Sequence, residues 1–122
     1  MTHKAKKLEQ LKKVAEVTLT LELGKLAQVR AQETEQENRL DELKTSAKDR
    51  EVQIQNADAF DPAMSSGADA KWNAWMMQER RRILTNMAVI AERREVQFEH
   101  TRRAFGKVEA LKSIAKKSAL KP

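Results

Sequence analysis

Residues 76–111 read MMQERRRILTNMAVIAERREVQFEHTRRAFGKVEAL, and a seven-residue repeat within this stretch decides the fold. The six repeat positions are Met76, Ile83, Ile90, Gln97, Ala104 and Leu111, and all of them except Gln97 are apolar. Other apolar residues widen the same stripe: Leu84, Met87, Phe98, Phe105 and Val108. A heptad spacing of this kind is typical of a helix in a coiled coil. We therefore predict a helix from about residue 68 to residue 118.

A second long helical pattern precedes this one. Between His3 and Ala57 there is no proline, and Gly24 is the only glycine. Steps of three and four residues connect the apolar positions Leu8, Leu11, Ala15, Leu19, Leu23, Leu26, Val29, Leu40, Leu43, Ala47 and Ile54. The stripe passes polar residues at Glu33, Gln36 and Glu37. The run of four-residue steps from Leu11 to Leu23 predicts a stutter in a helix over about residues 3–57.

The predicted turn covers residues 58–67, DAFDPAMSSG, and holds the only internal proline. Asp61 and Pro62 form one candidate helix start, and Ser66 with Asp69 forms a weaker one. Two long helices joined by a short turn pack antiparallel. The sequence thus predicts one all-α domain over residues 1–122, an antiparallel two-helix coiled-coil hairpin shaped as a rod.

Folding the chain about residues 62–64 predicts a register. The expected apolar pairs are Ile54 with Trp72, Leu43 with Ile83, Ala15 with Leu111 and Leu11 with Ile114. Glu33 would lie opposite Arg93 and Arg94, where we predict an ion pair between the helices. Gly24 and Gly106 would lie at nearly the same height, which fits either a close approach of the helices or chance placement.

Composition excludes several classes of protein. Charged residues make up 34% of the 122 positions and aromatic residues 4%, which leaves little material for a thick core or a buried catalytic pocket. The absence of cysteine excludes disulfides and thiolate sites. No apolar run approaches the ~20 residues of a membrane span, and Met1–Lys13 lacks the features of a secretory signal. We expect a cytoplasmic protein.

The net charge of +6 is unevenly distributed. Residues 1–13 hold five basic residues and one acidic residue, residues 102–122 hold seven and one, and residues 33–61 hold nine acids and four bases. A hairpin would place both basic termini side by side. Such an end either favours solubility or docks on an acidic partner surface. Specific nucleic-acid binding is disfavoured, because aromatic residues are scarce and no helix-turn-helix, zinc-finger or basic-zipper layout is present.

No catalytic or metal-binding constellation is visible. His3 and His100 are the only histidines, and we interpret His100 as a polar position between the helices opposite Leu26. Asp58 and Asp61 lack the remaining ligands of a calcium loop. We therefore expect no enzymatic activity and neither a metal nor another cofactor.

Two clusters after the turn allow alternative interpretations. Trp72 and Trp75 share a helix face, and they either pack on Ile54 and Phe60 or anchor a partner. Arg80, Arg81 and Arg82 form either a solvated cationic face or a docking site for an acidic surface. A two-helix hairpin also leaves apolar surface partly exposed, which favours packing of another helix at Val17, Leu21, Leu84, Val89 and Phe98.

The whole layout resembles the flagellar export protein FliJ and its YscO-type counterparts in type III secretion. The local matches are residues 72–75 (WNAW), 80–84 (RRRIL) and 103–108 (RAFGKV). The resemblance implies a non-catalytic stalk whose terminal end enters the ring of an export ATPase, and which contacts the export gate and export chaperones. It would place at the ring Lys4, Lys6, Lys7, Lys12, Lys13, Lys112, Lys116 and Lys117, with Trp72 and Trp75 toward the gate.

The resemblance further implies a monomer or weak homo-oligomer that reaches the inner membrane only through its partners. Two other functions remain open. A homo-oligomeric structural adaptor would form stable dimers of hairpins, and its terminal charge would not matter for activity. A basic nucleic-acid-binding protein would lose affinity steeply with rising salt.

Overall fold

Two long helices form the described part of the chain in a computed structural model. The structure describes residues 2–56 and 67–120, except for the side chain of Leu120. Helix α1 spans His3–Gln55 and helix α2 spans Ala68–Leu120. The helices pack against each other, and these residues contain no strand, which confirms the predicted all-α class. Helix α1 ends two residues earlier than predicted and α2 continues two residues further.

Local hydrogen bonds define both helix starts. The hydroxyl of Thr2 accepts a hydrogen bond from the Ala5 N–H at 3.2 Å, which is an N-cap interaction for α1. Gly67 precedes α2 with a φ of 79°, a conformation that glycine adopts without the steric cost of a Cβ. Its carbonyl accepts a hydrogen bond from the Lys71 N–H. The predicted helix starts at Asp61–Pro62 and Ser66 lie outside the described residues.

The chain divides into two compact units. The terminal unit comprises Met1–Ala31 and Glu92–Pro122, and the middle unit comprises Gln32–Ala91. Each unit combines one segment of α1 with one segment of α2. The buried residues of the terminal unit are Leu26, Thr101, Ala104 and Val108, and those of the middle unit are Gln36, Ile83 and Ile90. Both cores are thin and contain polar groups.

The seam of α1, meaning its buried and half-buried positions, follows a regular heptad pattern. Within the terminal unit it consists of Leu8, Lys12, Ala15, Leu19, Glu22, Leu26 and Val29. In the middle unit it includes Glu33, Gln36, Leu40 and Leu43. Steps of four and three alternate, so the predicted stutter is wrong. Leu11 and Leu23 are about half exposed, because repeated four-residue steps drift around the helix away from a 3.5-residue stripe.

The seam of α2 agrees better with the sequence pattern. All six predicted heptad positions are buried or half-buried, and so are Met87 and Val108. Leu84, Phe98 and Phe105 are exposed instead of widening the stripe. On α1, Ala47 and Ile54 are also exposed, contrary to prediction. The seam is therefore narrower than the apolar content suggests.

Within the middle unit, the pairing of the helices is centred earlier in the chain than predicted. The Arg50 guanidinium donates two hydrogen bonds to the Asp69 carboxylate, from Nε at 2.9 Å and from the terminal nitrogen at 2.8 Å. Their midpoint lies between residues 59 and 60, whereas the predicted fold centre was 62–64. The expected pairing of Ile54 with Trp72 is therefore wrong. A two-point ion pair fixes this register, and apolar spacing alone does not reveal it.

The terminal unit shows a similar displacement. Gln97 donates a hydrogen bond to the Glu22 carbonyl at 3.1 Å, and Thr101 donates one to the same carbonyl at 3.3 Å. In the predicted register, the two residue numbers of each pair add up to 125 or 126. Those of the Glu22–Gln97 and Glu22–Thr101 pairs add up to 119 and 123, so this pairing is also centred earlier in the chain.

Two further expectations concern space and hydropathy. A Cβ added at Gly24 or Gly106 would meet nothing within 4 Å, so of the two interpretations the structure does not support a close approach at these glycines. Over residues 2–56 and 67–120, no helical segment combines the length and the apolar character that a bilayer crossing requires.

Candidate interaction surfaces

Positive charge is concentrated in the terminal unit. Its sequence contains sixteen basic and seven acidic residues, whereas the middle unit contains eight basic and eleven acidic residues. All eight lysines that the resemblance assigns to a ring contact belong to the terminal unit. Seven of them are exposed: Lys4, Lys6, Lys7, Lys13, Lys112, Lys116 and Lys117. Lys12 is half-buried in the seam, so it is not a fully exposed docking residue.

Few of the charges on these exposed lysines are compensated by a neighbouring acidic residue. Lys112 lies 3.7 Å from Glu109, and Arg102 and Arg103 lie 3.3 and 3.4 Å from Glu99. Among the described residues, no ion pair involves the other six exposed lysines of the set. Their charges are therefore available to an acidic partner.

A polar layer lies inside the terminal unit. The Gln97 amide donates hydrogen bonds to the Glu22 carboxylate and to the Thr101 hydroxyl. The hydrogen bond from Gln97, followed by the nearby charge of Lys25, lowers the pKa of Glu22, although partial burial acts in the opposite direction. Glu22 is consequently held as a carboxylate in the seam. This layer fixes the helix pairing and offers no open reactive group.

A groove runs along one side of the terminal unit, and we call it the terminal groove. From α1 it is lined by Leu11, Val14, Ala15 and Thr18. From α2 it is lined by Ala104, Lys107, Ala110 and Leu111. Its volume is about 420 Å³, and half of its lining residues are alanine or threonine. Small side chains let another helix approach closely.

The terminal unit also exposes much of its apolar surface. Nine large apolar residues are between about half and two-thirds exposed: Leu11, Val14, Val17, Leu21, Leu23, Val96, Phe98, Phe105 and Ile114. Leu11 and Val14 lie in the terminal groove. Two packed helices leave these side chains uncovered, so this surface is available to a further helix.

Trp72 and Trp75 line an open pocket of about 430 Å³ in the middle unit. Leu43 and Ser46 of α1 contribute to the same pocket, together with Met76 and other residues of α2. Trp72 is half-buried, and Trp75 is 52% exposed. Ile54 does not lie directly opposite Trp72 in this register, its packing beside the two tryptophans stays a prediction, and Phe60 lies outside the described residues. Trp75 retains enough free surface to contact a partner.

The three arginines that follow are all exposed. Arg82 donates to Glu79 at 3.2 Å, one turn earlier on the same helix. None of the ion pairs within the described ranges includes Arg80 or Arg81. Both interpretations of this cluster, a solvated face and an acidic docking site, therefore remain open.

The histidines occupy separate, exposed positions. His100 does not lie in the seam as predicted, because Gln97 and Thr101 take the seam positions on either side of it. In the part of the chain that the structure describes, no three His, Asp or Glu side chains are grouped to hold a metal ion. Glu33 and Arg94 are each half-buried, and their predicted ion pair stays a prediction.

Several residues in these sites escaped the sequence pattern. Glu22 was missed because its neighbour Leu23 is apolar, and Arg50 was missed because it is charged, although strict alternation of four and three selects both positions. Thr101 was missed although it lies between the heptad positions 97 and 104. The terminal groove had no sequence signal, because it combines small residues from two distant segments.

No protein-family model matches this chain, and no curated protein or solved structure is significantly similar to it.

Proposed function

We propose that the chain is an antiparallel coiled-coil hairpin that acts as a non-catalytic, stalk-like component of a flagellar or type III protein export apparatus. In this role the terminal unit contacts the export ATPase ring. Trp72, Trp75, Arg80 and Arg81 contact the export gate or export chaperones. The protein acts in the cytoplasm and reaches the inner membrane only through these partners.

One observation carries the proposal: both chain ends belong to a single unit with a large excess of exposed positive charge. Six of the seven exposed lysines in the set assigned to the ring have no ion pair within the described residues. The FliJ and YscO-type resemblance supplies the identity of the ring.

The mechanism that follows is one of coupling through binding. Contact of the terminal unit with some subunits of the ring more than with others would change their nucleotide affinity or their assembly. Such a coupling requires differential contact and no chemistry by this chain. Charge complementarity would mainly set the rate and specificity of association.

Affinity capture with tagged full-length protein from the native host tests the proposal. The wild-type protein should recover a hexameric secretion ATPase, identified by mass spectrometry. Replacing Lys6, Lys7 and Lys116 with glutamate should reduce this recovery about tenfold. The matched control replaces Lys44, Lys48 and Lys71, which are also exposed but belong to the middle unit. It should leave recovery within about twofold of wild type.

Circular dichroism should show the same helix content in both triple variants. Equal losses of ATPase recovery in the two variants, or no ATPase in the wild-type sample, would contradict the stalk function. Recovery of nucleic acid that is released at high salt would instead support the nucleic-acid alternative.

A homo-oligomeric structural adaptor is the second candidate. It is favoured by the fifteen large apolar side chains that are at least one-third exposed among the described residues. A stable dimer whose mass does not depend on the lysine substitutions would support this function over the stalk.

A further inference from the structure

We infer that the terminal groove binds an acidic amphipathic helix of a partner protein. The inference adds a second contact surface to the proposed function, and it holds whether or not the partner is an export ATPase. It concerns the apolar groove between α1 and α2 together with the lysines that flank it.

The shape of the groove suits a helix. Ala15 and Thr18 from α1 and Ala104 and Ala110 from α2 provide short side chains along it. Leu11 and Val14 lie in the same lining and are about half and two-thirds exposed. A third helix that packs against two others buries a stripe of apolar side chains between them, with axes about 8–10 Å apart. The groove therefore supplies both the space and the apolar surface for one such stripe.

Charge selects the kind of helix. Lys107 lines the groove itself. Lys7 lies one turn before Leu11 on α1, and Lys117 lies two turns after Ala110 on α2, so the helical period places both along the same faces. These three lysines are exposed and take part in no ion pair among the described residues. No acidic residue belongs to the lining.

A second copy of this chain fits the groove less well. Two terminal units, each with sixteen basic and seven acidic residues, would bring like charges together at the groove. A helix with leucine-type residues on one side and glutamate on its flanks would bury the apolar lining and neutralise the lysines. Charge complementarity thus favours an acidic partner helix over self-association.

A synthetic peptide of about four heptads tests the inference with the full-length protein. It carries leucine at the a and d positions and glutamate at e and g, so that its own copies repel each other. A peptide with lysine at e and g is the charge control. Fluorescence anisotropy of the labelled peptides should show binding of the acidic peptide and at least about tenfold weaker binding of the basic peptide.

Two matched substitutions locate the binding site. Val14 and Val17 lie on the same helix and are 65% and 61% exposed, but only Val14 lines the groove. Val14→Asp should weaken binding of the acidic peptide by about tenfold or more, whereas Val17→Asp should change it by less than about threefold. Both variants add the same charge, and circular dichroism checks that both remain helical.

Absence of binding by the acidic peptide would overturn the inference, and so would equal effects of the two aspartate substitutions. The Val14 and Val17 substitutions are separate from the lysine substitutions of the capture experiment, so the two results are read independently. Peptide binding without ATPase recovery would support helix binding at the terminal groove and contradict the stalk function. ATPase recovery without peptide binding would support the stalk function and contradict helix binding at the groove.

Discussion

Polar residues in the seam differ in how well they are satisfied. Glu22 accepts a hydrogen bond from the Gln97 amide, and the Arg50 and Asp69 side chains bind each other at two points. Hydrogen bonding from Arg50 lowers the pKa of Asp69. Gln36 is 9% exposed, and its side-chain oxygen accepts no hydrogen bond from the described residues. Satisfied polar groups specify a register, while an unsatisfied one costs stability.

Acid should destabilise the fold partly through Glu22. Its pKa in the folded protein lies below the ordinary value of 4.5, so the unfolded chain binds the proton more tightly. The stabilising contribution of Glu22 is therefore complete above about pH 4.5 and is lost as the pH falls through the folded pKa. Thermal unfolding at about pH 7 and about pH 3 measures this loss.

The Tm of Glu22→Gln should fall less between these two pH values than the Tm of the wild-type protein. Glu16→Gln is the control, since Glu16 is an exposed residue of the same helix. It should retain the wild-type fall. If Glu22→Gln and Glu16→Gln lose the same number of degrees, the role of Glu22 in acid sensitivity is refuted.

Replacing Gln36 with leucine should stabilise the protein. The substitution removes a buried oxygen without a partner and adds apolar surface, for an expected gain of about 1 kcal/mol in the free energy of unfolding. Urea unfolding measures it. Gln32→Leu, at an exposed position one turn earlier, should change stability by less than about 0.5 kcal/mol. A loss of stability in Gln36→Leu would show that its amide contributes a favourable interaction.

At the scale of the helices, the glycine before α2 differs in role from the two glycines inside helices. Gly67 has a positive φ directly before α2, whereas Gly24 and Gly106 lie inside helices with open space around the missing side chain. Glycine in a helix interior costs conformational entropy that alanine does not. The backbone conformation at position 67 requires glycine, whereas Gly24 and Gly106 weaken their helices.

Alanine substitutions should separate these roles. Gly24→Ala and Gly106→Ala should each raise the free energy of unfolding by about 0.5–1 kcal/mol, because an alanine side chain meets nothing there. Gly67→Ala should lower it by about 1–2 kcal/mol, because L-residues are strained at this φ. Urea denaturation gives all three values. Destabilisation by Gly106→Ala would reveal a tight contact that the structure does not contain.

For the molecule as a whole, apolar exposure and charge act against each other. Nine of the exposed large apolar side chains belong to the terminal unit, which also has a net charge of +9, whereas the middle unit is net negative. Apolar surface favours association, and like charge opposes association of identical units. We therefore expect a monomer or weak homo-oligomer at low ionic strength.

Salt should shift this balance toward self-association. Raising sodium chloride from about 50 mM to about 1 M reduces the Debye length from more than 10 Å to about 3 Å and screens the repulsion. Sedimentation equilibrium should then show a rising weight-average mass. A mass that falls with salt would mean that copies are held by attraction between the basic terminal unit and the acidic middle unit of another copy.

The helices of this protein could be predicted from the order of its residues. Two helices, their approximate ends and the heptad positions of α2 follow from periodicity and from the lack of internal breakers, which are properties of neighbouring residues. The exposure of seven of the eight terminal lysines also followed, since charged side chains stay in water. Their proposed role in binding stays a prediction.

The pairing of the helices required the folded molecule. Lys12 and Glu22 occupy the seam positions that the sequence pattern assigned to Leu11 and Leu23, because the position of a side chain in the seam depends on the facing helix. Glu22 also accepts a hydrogen bond from Gln97, which lies 75 residues away in the sequence. The register depends on the Arg50–Asp69 and Glu22–Gln97 pairs for the same reason. The terminal groove exists only where α1 and α2 lie side by side, since its lining residues come from segments near opposite ends of the chain.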